Sequence, residues 1–198
     1  MKLKLSLLIL VILQFSCKDK TEKQIENTNS KSSKVELHIK ETNRFDFEKF
    51  KISKGQVGEI KVGMDLSEAE KLLKQLTKKE AEAYDFGFDG GGKAYLYSLD
   101  DEFIIGLIPK ADSKEILAIV ALSKNLKTSN GLNPKSAVSE IQKKYPTAKI
   151  VQNLMMDWQF IEDEKNNWDF ILMTGENEPI GEFNDSNTEI KSDWITIK

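Results

Sequence analysis

The chain has 198 residues, with 29 Lys and Arg against 32 Asp and Glu, for a formal net charge of −3. It has one histidine, His38, and one cysteine, Cys17. The acidic balance lacks the basic patch that nucleic acid needs, so no nucleic-acid partner is expected. One His and one Cys leave no zinc ligand set, no histidine-based triad in the folded part and no internal disulfide. No cofactor is expected. Residues 1–16, "MKLKLSLLILVILQFS", run from two lysines through an unbroken apolar core to a small residue, the pattern of a secretory signal. Its apolar stretch, Leu5 to Leu13, is far short of the ~20 residues a membrane-spanning helix needs.

Residues 17–44 follow. From Lys18 to Lys34 the chain is Lys, Asp, Glu, Gln, Asn, Ser and Thr with a single Ile, too polar to offset its ordering entropy, and reads as a disordered tether. Its r.m.s. reach is roughly 25–30 Å. A single domain is expected over 45–198, long enough for one ordinary core.

Inside that domain "GMDLSEAEKLLKQL" (Gly63–Leu76) aligns with "GLNPKSAVSEIQKKY" (Gly131–Tyr145). Gly63 meets Gly131, Asp65 meets Asn133 and Leu73 meets Ile141. Asp65 suits a helix N-cap, with Glu68 three places on to complete a capping box. Asn133 stands in the same place before Pro134, which suits the first helical position. Leu66, Ala69, Leu72, Leu73 and Leu76 share one helical face, as do Ala137, Val138, Ile141 and Tyr145. After each helix the apolar period becomes two. Ala94–Leu99, Phe103–Ile108 and Glu115–Leu122 read as strands, as do Met155–Glu162, Asn167–Met173 and Ser192–Lys198. Phe45–Ile52 reads as an opening strand. The expected fold class is therefore α+β: two tandem helix-plus-antiparallel-meander repeats, about 57–122 and about 126–198, with one sheet face packed on the helices and the other available.

Two resemblances bear on these segments. Ser16-Cys17 at the end of the leader resembles the lipobox of bacterial lipoproteins, with Gln14 where Leu is usual. The resemblance implies a lipid anchor on Cys17, with palmitate-like acyl chains and attachment to a membrane. Lys18 in place of Asp after the cysteine points to the outer membrane. "IKVGMDLSEAEKLLKQL" resembles the opening helix of small outer-membrane lipoproteins of the SmpA/OmlA type, and a doubled unit of that kind has the β-lactamase-inhibitor-like layout. That resemblance implies binding or scaffolding, with an envelope protein as partner.

"YDFGFDGGGKAYLYSLDDEF" (Tyr84–Phe103) offers three motifs. The kinase-like triplet Asp85-Phe86-Gly87 has no catalytic loop or strand lysine to serve. Counted as a calcium loop from Asp85, position 3 is Gly87 and position 12 is Leu96, so only Asp85 and Asp89 remain as ion ligands. Gly90–Gly92 precede a strand pattern, whereas a phosphate cradle opens a helix. The expected structure is a hairpin turning at Asp89-Gly90, with Ala83–Phe88 paired to Lys93–Ser98. Trp158, Trp168 and Trp194 lie on expected strands and read as core. The long acidic loop Gly175–Glu189 is the candidate partner-binding segment, through Glu176, Glu178, Ile180, Glu182, Phe183 and Asp185. Two functional readings stand. One is a non-enzymatic envelope binding or scaffolding module. The other is a carboxylate-based hydrolase of glycosidase type, which requires two carboxyl groups facing each other across a cleft, about 5–10 Å apart.

Overall fold

The computed structural model describes residues 45–156, 158–173 and 189–198. Three two-residue strands come first, β1 (Ile52–Ser53), β2 (Gln56–Val57) and β3 (Ile60–Lys61), followed by helix α1 (Leu66–Leu72). Four strands follow: β4 (Thr77–Glu82), β5 (Lys93–Leu99), β6 (Glu102–Pro109) and β7 (Ile116–Ala121). Helix α2 (Val138–Lys144) leads to β8 (Ile150–Asn153), β9 (Trp158–Asp163), β10 (Trp168–Leu172) and β11 (Trp194–Ile197). β1–β3 form a small sheet, and the other strands form one eight-stranded sheet in the order β4-β5-β6-β7-β11-β10-β9-β8. Every pairing in both sheets is antiparallel.

This architecture corrects the expected α+β class. The described chain is mostly antiparallel sheet, and α-helix is confined to two seven-residue segments. Two turns of helix do not make a layer, so the tandem helix-plus-meander layout, and the β-lactamase-inhibitor-like form with it, is not what forms. Two strands absent from the expectation, β4 and β8, lengthen each meander. β4 reads "TKKEAE", polar apart from Ala81 and rich in helix formers, and five of its six side chains are exposed. A charged strand of this kind suits a sheet edge, where side chains need little burial.

The main core lies between one face of the large sheet, the two helices and the small sheet. Ala69 and Leu73 of α1, Val138 and Ile141 of α2, and Ile52 and Ile60 of the small sheet all belong to it. α1 begins where the sequence places it. The Asp65 carboxylate accepts from Ser67 N at 2.8 Å and also from the Ser67 hydroxyl. Ser67 rather than Glu68 completes that cap. α1 is held to β4 and β5 through Glu70, whose Oε1 accepts from Tyr97 Oη at 3.1 Å and Lys78 Nζ at 2.5 Å. Lys78 Nζ also sits 3.8 Å above the Tyr95 ring.

α2 starts later than expected. Asn133 Oδ1 accepts from Lys135 N at 2.8 Å, which closes a tight turn and does not open a helix. Ala137 stays extended and bridges to Lys191; the helix then begins at Val138, with Glu140 Oε2 accepting from Ala137 N at 2.9 Å. The expected opening strand at Phe45–Ile52 is a short 3-10 turn over Phe47–Lys49. Phe45 stacks on Phe50 at 4.5 Å and meets Phe47 edge-on at 5.0 Å. An extended chain alternates its side chains, so Phe47 and Phe50 would fall on opposite faces; the turn gathers all three rings.

The second face of the large sheet is also covered. Ala94, Ile108, Ala118, Val120, Trp158 and Trp194 are buried there. Ala83–Phe86 form a 3-10 turn, and Phe86 and Phe88 pack on this face. Phe86 meets Trp194 edge-on at 5.6 Å. The expected hairpin across Asp89-Gly90 is thus corrected. β5 pairs with β4, and 83–92 is a connection that lies over the sheet. Ala83 buries and the half-buried Phe86 and Phe88 pack on the face that holds Trp158 and Trp194, while Tyr84 stays exposed. Gly87 makes the approach possible. It has φ +86°, and a Cβ there would fall 2.8 Å from Trp158 Cζ2.

Candidate functional site

Among the described residues, polar chemistry gathers at the β9–β10 turn. The turn closes through Asp163, whose Oδ2 accepts from Asn166 Nδ2 at 2.6 Å and from Trp168 Nε1 at 2.8 Å. Asn167 supplies the left-handed backbone the turn needs, at φ +56°. On one flank is a cleft of about 440 Å³, lined by Tyr145, Thr147, Lys149, Val151, Glu162 and Glu164, with Asp163 in its wall. On the other is a cleft of about 230 Å³ reaching Trp168, Asp169 and Lys198.

Two carboxylates here are buried, Asp163 and Asp169. They do not face each other. Asp163 is directly paired with Trp168, so Asp169, one residue on, points to the opposite side of the sheet. Each is engaged: Asp163 by the turn and the Trp168 indole, Asp169 by an ion pair with Lys198. Burial pushes the Asp169 carboxyl above its ordinary value, and Lys198 pulls against that rise. Burial also pushes the Tyr145 phenol up; donation from Asn130 Nδ2 at 2.9 Å lowers it, and the neighbouring Asp163 adds to the rise.

Glu162 and Asp169 stand opposite each other across β9 and β10. Glu162 is exposed, however, and the ion pair holds Asp169. Their cleft is also below the ~300 Å³ at which small-molecule sites begin. A glycosidase requires one free carboxylate and one held protonated, aimed at a common bond. Nothing in the described residues points to catalysis.

Cys17 and the loop residues Glu176, Glu178, Ile180, Glu182, Phe183 and Asp185 lie outside the described residues. Asp85 and Asp89 are both exposed, and no group of three or more His, Cys, Asp or Glu placed to hold a metal occurs among the described residues. Gly90–Gly92 lead into β5, not a helix. Trp158, Trp168 and Trp194 are all buried, as their strand positions predict. Trp158 and Trp194 meet edge-to-face at 5.3 Å on the second face, while Trp168 belongs to the main core. From sequence, Asp163 in Glu162–Glu164 reads as solvated turn charge and Tyr145 as part of a helix face, whereas Asp163 is buried; Asp169 is not singled out. One signal for Asp169 was present: an acid set between Trp168 and Phe170 in an otherwise apolar strand.

No family model matches the chain, and no curated protein matches it. Among solved structures, it is similar to the crystal structure of the uncharacterized protein yfeY from Escherichia coli, with a TM-score of 0.57. The similarity covers 75% of this chain and 99% of that one at 13% sequence identity. At that identity the likeness is one of fold alone.

Proposed function

We propose that this chain is a lipoprotein of the cell envelope, held to a membrane, the outer one by the Lys18 criterion, through acyl chains on Cys17. We infer that it acts as a non-enzymatic binding or scaffolding module for an envelope protein. The anchor half of this reading rests on a leader that ends in a small residue directly before the chain's one cysteine. Acyl chains anchor in proportion to their length, at about 0.8 kcal/mol per buried CH₂, so a multiply acylated cysteine holds firmly. The non-catalytic half is supported by a single observation: the two buried carboxylates are each engaged and face opposite sides of the sheet.

The test is metabolic labelling with a palmitate analogue, followed by fractionation of envelopes. The wild-type chain is expected to take up label and sediment with membranes, and Cys17→Ala to do neither. A wild-type chain that never incorporates label would end the anchor reading. Cross-linking in intact envelopes, followed by capture of the chain, then identifies what it holds.

A further inference from the structure

The large sheet ends in two strands of different character. β4 carries Lys78, Lys79, Glu80 and Glu82, and two of these are tied in ion pairs along its flank, Lys78 with Glu70 and Glu82 with Lys93. Charges on an outer strand discourage a further strand from adding. β8 reads "IVQN" and carries no charge. Its own Val151 and the following Leu154 and Met155, at 39%, 84% and 71% exposure, are three of the six large exposed hydrophobics among the described residues.

The register shows what an added strand would meet. Trp194 pairs with Ile171, Ile171 with Phe160, and Phe160 with Val151. Directly paired residues share a face, so these four make one apolar row across β11, β10, β9 and β8 on the second face. The row is buried at Trp194 and Ile171, half-buried at Phe160, and runs out to solvent at Val151.

We propose that β8 is a pairing edge, and that its occupant is β8 of a second copy of this chain, antiparallel and centred on Val151. A two-fold axis normal to the sheet keeps each side chain on its own face, so Val151 meets Val151 of the other copy and the apolar row continues across the joint. Ile150 then lies opposite Gln152, and Lys149 opposite Asn153, so no like charges oppose. The same operation on β4, centred on Lys79 or on Glu80, sets two like charges against each other, which is destabilising. β8 suits self-pairing and β4 does not. The inference stands independently of the membrane anchor.

The test uses the full chain in detergent, with single cysteines added by Val151→Cys or Leu154→Cys. The wild type, whose one cysteine is Cys17, sets the baseline. Across the proposed axis the two Cα atoms at 151 are ~4.5–5.5 Å apart, inside the ~4.4–6.8 Å that a disulfide spans. Position 154 lies opposite 148 of the other copy, which separates the two Leu154 Cα atoms by roughly 20 Å. Under mild copper–phenanthroline oxidation Val151→Cys is expected to give a covalent dimer at least tenfold faster than Leu154→Cys, although Leu154 is the more exposed. Equal rates, or a faster Leu154→Cys, would mean random collision and would overturn the proposal. Sedimentation provides a second arm. Val151→Lys is expected to weaken association at least tenfold relative to wild type. A wild type that stays monomeric up to ~200 μM, or that pairs through β8 only with a different polypeptide, sinks the second-copy assignment.

Discussion

Gly87→Ala tests whether the 83–92 connection is seated on the second face by contact or merely passes over it. The substitution carries two costs. Gly87 is held at φ +86°, and a left-handed backbone costs a residue with a Cβ about 1–2 kcal/mol. The new methyl also arrives 2.8 Å from Trp158 Cζ2. Trp158 is nearly buried and braced edge-to-face by Trp194 at 5.3 Å, so the clash is not relieved by a simple swing and adds about 1–3 kcal/mol, as overpacked cores do. Gly91 is the control. It has φ +72°, but nothing lies within 4 Å of its Cβ position, so Gly91→Ala incurs the backbone cost alone. For a domain of this size about 1 kcal/mol moves the melting midpoint by roughly 2–4 °C. Gly87→Ala is expected to lower it by roughly 4–20 °C and Gly91→Ala by roughly 2–8 °C, with the former the larger. The assay is thermal unfolding followed by near-ultraviolet circular dichroism, where the Trp158–Trp194 pair contributes signal. Equal shifts for the two variants would refute the claim that the loop is locked onto Trp158.

The remaining predictions concern titration. Asp169 has its folded-state pKa raised above the ordinary 3.8 by burial, so its contribution to stability is full below that value and is lost as pH rises through the folded pKa. Asp169→Asn is expected to flatten the urea midpoint against pH from about 3.8 upward; parallel wild-type and variant profiles would contradict the assignment. Asp65 is shifted the other way, by hydrogen bonds from Ser67. Its contribution is present above the ordinary value and lost as pH falls through the lower folded one. Asp65→Ala is expected to reduce the melting midpoint at neutral pH and to converge with wild type in acid, while Asp65→Asn, which keeps a capping acceptor, stays near wild type.

What could be read from the sequence follows the strength of each local signal. The strands expected at Ala94–Leu99 and Phe103–Ile108 form there, because short apolar runs bounded by turn residues suit strands buried on both faces. α1 starts at Leu66 because Asp65 has a nearby donor in Ser67. β4 was not legible: an edge strand buries little, so "TKKEAE" shows no apolar period. Asn133-Pro134 imitates a helix start, and only the bridge between Ala137 and Lys191 shows that the backbone is still extended there. The β9–β10 cluster was hidden for a different reason. Asp163, Tyr145 and Asn130 are distant in sequence and meet only once the sheet is assembled.

The join between β7 and β11 holds the two halves of the large sheet together. It rests on three register pairs, Ile119 with Ile197, Val120 with Thr196 and Ala121 with Ile195, each spanning more than seventy residues. Every other ladder in the large sheet links strands that are consecutive in the chain. Without Trp194–Ile197, β4–β7 and β8–β10 would be separate ribbons, each with one bare flank. Removing that last strand would therefore leave each ribbon with a strand edge open to the wrong partner.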